Sequence, residues 1–229
     1  MKLAISVFLA LLASGCGDRQ SLPKEIESAI FLGVKLPGRV ADAKAAGFTD
    51  CKADYYGFSC QKTTRLDVAG VSAIQATVIL TGRDSFTRDR SKARDASGDT
   101  RLLPQEALSY DQIALELGTP RYDDKCVAKM RRNDPNSYNP PSCLTPGNSI
   151  VHLKQALERT GWKLVTARRY SEYLHPNEGV SITLRDNQAA IRRVDPDERS
   201  STLAAVVARE AELKVKEAAG KAFVEQMAK

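Results

Sequence analysis

The stretch Ala107-Leu-Ser-Tyr-Asp-Gln-Ile-Ala-Leu-Glu-Leu-Gly-Thr-Pro120 decides how the second half of this 229-residue chain is read. Leu108, Ile113 and Leu117 supply an apolar face, and Gly118 and Pro120 stop the element, so the stretch predicts a helix over 108–117. A second helix is expected over 149–160, ended by Gly161. Strands are expected over 163–173, 179–185 and 189–194, the last two joined by an Asp186-Asn187 turn.

The first half reads in the same order. Pro23 opens a short helix over 23–31, a second helix covers 37–46, and Gly47 ends it in the left-handed conformation. Strand-like stretches follow at 49–54, 58–66 and 71–80; in the last, Ile74, Ala76, Val78 and Leu80 alternate with polar or small residues. Ala46-Gly47-Phe48 and Thr160-Gly161-Trp162 repeat the same helix ending. The expected fold is α+β: two helix-helix-three-strand units with antiparallel sheet, at 23–82 and 105–198, joined by a charged linker over 83–104. A C-terminal helix over 199–229 completes it. Ser200 or Ser201 caps this helix, Glu210/Lys214, Glu212/Lys216 and Glu217/Lys221 pair along it, and its apolar stripe is narrow and interrupted by Gly220.

Thirty-four Lys+Arg against 28 Asp+Glu leave a charge of +6, spread too thinly for the dense basic stripe of a nucleic-acid binder. Apolar and charged shares of 42% and 27% are those of an ordinary globular chain and exclude wholesale disorder.

Behind Met1 and Lys2, Leu3 to Ala13 is an uncharged apolar run. It has the length of a secretory signal and falls short of the roughly 20 residues of a membrane-spanning helix. The run ends in Leu12-Ala13-Ser14-Gly15-Cys16, which resembles the lipobox of bacterial lipoproteins. That resemblance implies a signal peptide over 1–15, diacylglycerol and further acyl chains such as palmitate on Cys16, and a polar tether over 16–22. Two or more chains anchor a protein stably where one does not. Asp18 stands one place beyond the position that retains lipoproteins in the inner membrane. The expected location is therefore the outer membrane, facing the periplasm, with the inner membrane as the alternative.

Four cysteines remain: Cys51, Cys60, Cys126 and Cys143. An even number in an exported chain reads as two disulfides. Locality favours Cys51–Cys60, across a hairpin turning at Tyr56-Gly57, and Cys126–Cys143, around the turn-rich loop Asn133 to Ser142. A metal site is disfavoured, since there is no C-x-x-C and no histidine nearby in sequence.

Residues 107–120 resemble the helix motif of small outer-membrane assembly lipoproteins of the SmpA/OmlA (BamE) kind. Leu108, Ser109, Ile113, Leu117, Gly118 and Pro120 stand at the family's spacing, with Ala107 where glycine is usual. Leu32-Gly33-Val34-Lys35-Leu36, leading to Ala45-Ala46-Gly47-Phe48, looks like a looser copy. The resemblance implies a beta-lactamase-inhibitor-like architecture, helix pairs packed on an antiparallel sheet, used for binding other proteins.

No catalytic constellation is expected. His152 and His175 are the two histidines, and G-x-S-x-G, H-E-x-x-H, Walker and G-x-G-x-x-G patterns are missing. Ser21/Lys24 and Ser59/Lys62 match a Ser-x-x-Lys pattern by spelling alone. Neither a metal nor a cofactor is called for. Candidate binding residues are Tyr55, Tyr56 and Phe58 at the hairpin tip and the paired cations Arg168, Arg169, Arg192 and Arg193, which suit an anionic partner. The expected function is a lipid-anchored periplasmic protein that binds another envelope protein as an adaptor or assembly accessory, with no enzyme activity and no nucleic acid. The alternatives are an inhibitor or exclusion lipoprotein docking on another protein and, third, a cell-wall enzyme.

Overall fold

Alternation of apolar and polar side chains, rather than helical spacing, organises most of this chain. The computed structural model describes residues 27–54, 57–82, 104–133, 141–167 and 169–227. A hairpin of β1 (Ala29–Phe31) and β2 (Val34–Leu36) opens it, followed by β3 (Gly38–Arg39) and α1 (Val40–Ala45). Next come β4 (Phe48–Asp54), β5 (Gly57–Lys62), the small hairpin of β6 (Asp67–Val68) and β7 (Val71–Ser72), and β8 (Gln75–Leu80). The second half holds β9 (Ser109–Tyr110), β10 (Gln112–Glu116), α2 (Asp124–Asn133) and α3 (Ile150–Arg159). It ends in β11 (Lys163–Ala167), β12 (Ser171–Leu174), β13 (Val180–Arg185), β14 (Gln188–Arg193) and α4 (Pro196–Met227).

Eight strands form one antiparallel sheet in the order β11-β12-β13-β14-β10-β8-β5-β4. The two expected helix-helix-three-strand units are therefore not what forms. The halves share a single sheet, joined where β10 pairs with β8 on one side and β14 on the other. The overturned element is the expected helix over 108–117. Ile113, Leu115 and Leu117 are buried while Gln112, Ala114 and Glu116 point the other way, a period of two that puts every apolar residue on one face only in a strand.

The expected helix over 23–31 fails in its described part for a different reason. Leu32 and Gly33 take φ of 52° and 76°, the pair of positive angles that closes a two-residue hairpin, so Phe31 pairs with Val34. Helix α1 is shorter than the expected 37–46, because Gly38 and Arg39 pair with Tyr110 and Ser109; Arg39 N–H then donates to Asp42 Oδ2 at 2.9 Å to start the helix. The 163–173 strand divides into β11 and β12, and α4 begins at Pro196, its first turn held by Asp195 Oδ1 accepting from Asp197 N–H rather than by Ser200 or Ser201. Helix α2 escaped sequence reading, although Asp123, which accepts from Cys126 N–H at 2.6 Å, is an N-cap signal.

One register row crosses the whole sheet on the inner face: Cys51, Cys60, Val78, Ile113, Ile191, Ile182, Tyr173 and Leu164. Its six central members are fully buried, beneath α1, α3 and the β1–β2 hairpin, with Val40, Ala43, Leu153, Ala156 and Leu157 in the same core. The next row along faces outward: Asp50, Gln61, Thr77, Ala114, Ala190, Thr183, Glu172 and Thr166. Not one of these eight is buried. Cys51–Cys60 and Cys126–Cys143 are disulfide-bonded, the first between direct cross-strand partners of β4 and β5.

Candidate functional site

The outer face of the sheet is divided by α4. Lys163, Leu174, Ser181, Arg192 and Gln112 follow one another in register on that face. Arg192 contacts Glu198 at 3.7 Å and Lys163 contacts Glu210 at 3.4 Å, so the first half of α4 crosses from β14 to β11. Twelve residues of helix span about 18 Å and three strand spacings about 14 Å, which makes the crossing fit without bending. Leu174, on the covered side, is 1% exposed, and Val206 of α4 is 4% exposed.

Helix α4 also closes one edge of the sheet. The ladder shifts register between Leu164 and Thr166, and Arg209 donates to the carbonyl oxygens of both Leu164 and Val165, at 2.8 and 3.1 Å. Successive carbonyls normally point to opposite sides of a strand, so the bulge is what brings two within reach of one guanidinium. A capped edge cannot template pairing with another strand. Beyond Glu210 the helix leaves the body, and residues 211–220 are exposed throughout.

The other half of the outer face, on β10, β8, β5 and β4, carries no covering element among the described residues. Its centre is Thr77, Ala114, Gln61 and Gln112, with Ile79, 38% exposed, as a lone large apolar side chain; Asp50, Lys52 and Glu116 stand around them. The small side chains Thr77 and Ala114, in register with each other beside the two glutamines, let a partner approach closely, and the mixed rim charges favour neither sign.

The residues singled out from sequence are scattered by the fold. Cys16, Tyr55, Tyr56 and Arg168 lie outside the described residues. Phe58 pairs with Leu80 on the inner face and packs against the core. Arg169 is exposed. Arg192 and Arg193, adjacent on β14, point to opposite faces. Arg192 donates to Glu172 at 2.8 Å; burial alone would lower its pKa, but Glu172 and Glu198 outweigh that and hold it raised. Arg193 donates to the carbonyls of Glu27, Gly179 and Val194. Both guanidiniums are thus committed within the chain.

Ser149 and His152 come together with Oγ and Nδ1 2.8 Å apart, the spacing of a nucleophile and its base. Their role is structural. Ser149 is 1% exposed and caps α3, His152 Nδ1 accepts from Ser149 N–H, and His152 Nε2 donates to the Thr145 carbonyl at 2.7 Å. No group of three or more His, Cys, Asp or Glu side chains suited to a metal occurs among the described residues. Nor is any described helix long and apolar enough to cross a membrane.

His175 packs edge-on to Trp162, ring centroids 4.8 Å apart, and its Nδ1 accepts from the amides of Asn177 and Glu178 at 3.2 and 2.9 Å. Burial, with the Arg199 charge, lowers its pKa below the ordinary 6.5, and Glu178 offsets this only in part. The folded chain therefore takes up this proton at lower pH than the unfolded chain does. The stabilisation is complete above about pH 6.5 and fades as the pH falls through and below that value. Melting temperatures of the parent and of His175→Gln, compared between pH 7.5 and pH 5, should show the steeper acid loss in the parent; equal slopes would refute the assignment.

No protein-family model, curated protein or solved structure matches the chain.

Proposed function

We propose that this is a lipid-anchored envelope protein, at the periplasmic face of the outer membrane, that works as an adaptor or assembly accessory by holding another protein against the open half of its sheet. The observation that carries the reading is the strip centred on Thr77, Ala114 and Gln112, which no described element covers, on a face whose other half is covered by α4. The lipobox-like ending at Cys16 supports the anchor. Two disulfides support an oxidising compartment. The rigid sheet beneath the strip favours binding, because little conformational entropy is lost when a preformed surface is covered.

A photo-crosslinking side chain at Thr77 in the membrane-anchored protein is expected to capture one discrete adduct, and the same group at Lys154, on α3 beneath the opposite face, to capture none. Ala114→Arg in the same chain should abolish the adduct while moving the melting temperature by no more than about 2 °C, as an outward-facing substitution does. Equal capture at both positions, or capture untouched by Ala114→Arg, removes the strip as the contact surface.

A further inference from the structure

We propose that the polar cavity in front of α3 binds a small phosphate-type oxyanion, either the free ion or the end group of a compact phosphate ester. This site is separate from the open sheet face and does not rest on it. The cavity encloses about 300 Å³ and is lined by Thr119, Arg121, Thr145, Gly147, Asn148 and His152, with Pro146 between them. That volume is at the small end for ligand sites and suits a phosphate with a short organic tail, not a polymer.

Its walls are two segments fastened together. Gly118 N–H donates to Asn148 O at 3.1 Å, Thr145 N–H to Arg121 O at 2.9 Å and Asp123 N–H to Cys143 O at 2.9 Å; the Cys126–Cys143 disulfide ties the second segment to α2. A Cβ at Gly118 would stand 2.4 Å from Asn148 Oδ1, so a larger residue there would push that side chain aside.

The free polar groups of the cavity suit an anion. Four of the acceptors around the cavity are already in use. Arg121 O takes both the amide and the hydroxyl of Thr145, Thr145 O takes His152 Nε2, Asn148 O takes Gly118, and His152 Nδ1 takes Ser149 N–H. The donors are not. Among the described residues the Arg121 guanidinium forms no hydrogen bond or ion pair and no carboxylate lines the cavity, and the Asn148 amide and Thr119 hydroxyl stand beside it. A cavity with an uncommitted guanidinium, spare donors beside it and no carboxylate among its described lining favours a negatively charged group rich in acceptors. An oxyanion meets that description, and the guanidinium fork matches two of its oxygens at once. The end of α3 adds nothing to this accounting, because Ser149 and His152 already satisfy each other there.

Inorganic phosphate, titrated into 15N-labelled protein with ionic strength held constant by chloride, should shift the Gly147 and Asn148 amides saturably in the millimolar range. Glycerol phosphate, run in parallel, separates the sources: tighter binding points to a phosphate ester, equal binding to the free ion. Arg121→Gln should raise half-saturation about tenfold or more, because it removes the charge and the bidentate geometry. Asn148→Ala should raise it several-fold. The proposal is overturned if chloride alone produces the same shifts, or if both variants, folded as judged by their melting temperatures, saturate at the parent concentration.

Discussion

Ile113→Ala is expected to cost about 2–5 kcal/mol in urea unfolding, a large part of a total stability on the order of 5–15 kcal/mol. Ile113 is fully buried, in register between Val78 and Ile191, on the strand that joins the two halves of the sheet. Removing three methyl or methylene carbons there leaves a void between two β-branched neighbours on stiff strands, which collapse poorly around it. Glu116→Ala, three residues on and facing outward, should shift the midpoint by no more than about 0.5 kcal/mol. The contrast between the two variants reads out the alternation of β10 directly. A parent-like midpoint for Ile113→Ala would mean that the halves are not joined through this strand.

The second large effect is expected on loss of the disulfides. Cys51–Cys60 and Cys126–Cys143 close loops with sequence separations of 9 and 17. Loops of these sizes correspond to about 3 kcal/mol each in the chain-entropy account. At 2–4 °C per kcal/mol for a domain of this size, removing either bridge by paired Cys→Ala substitution should lower the melting temperature by roughly 6–12 °C. Reductant should lower the parent by more than either pair alone, because the two bridges lie in different parts of the fold and their contributions add. A fall of less than about 2 °C for both pairs would show that they leave the unfolded chain as free as before.

What the sequence determined by itself is what depends on neighbours along the chain. The two cysteine pairings were legible because each closes a short loop that no competing partner shortens further. The α3 helix with its stop at Gly161, and the β13–β14 hairpin turning at Asp186-Asn187, were legible because capping and turn geometry are settled within a few residues.

The 108–117 run was not. Leu108, Ile113 and Leu117 can be placed on one helical face, and Ile113, Leu115 and Leu117 on one strand face; the choice fell to Val78 and Ile191, which are 35 and 78 residues away and fill the row on either side. The strip on the outer face that no described element covers, the α4 crossing and the cavity in front of α3 arise in the same way. Thr77, Ala114 and Gln112 are unremarkable letters until sheet register makes them neighbours, and Arg121 meets Asn148 only once two segments are pinned together by hydrogen bonds and a disulfide. Strand pairing satisfies backbone donors and acceptors without regard to side-chain identity, so which strands meet, and which surface is left uncovered, is decided by how the whole core packs.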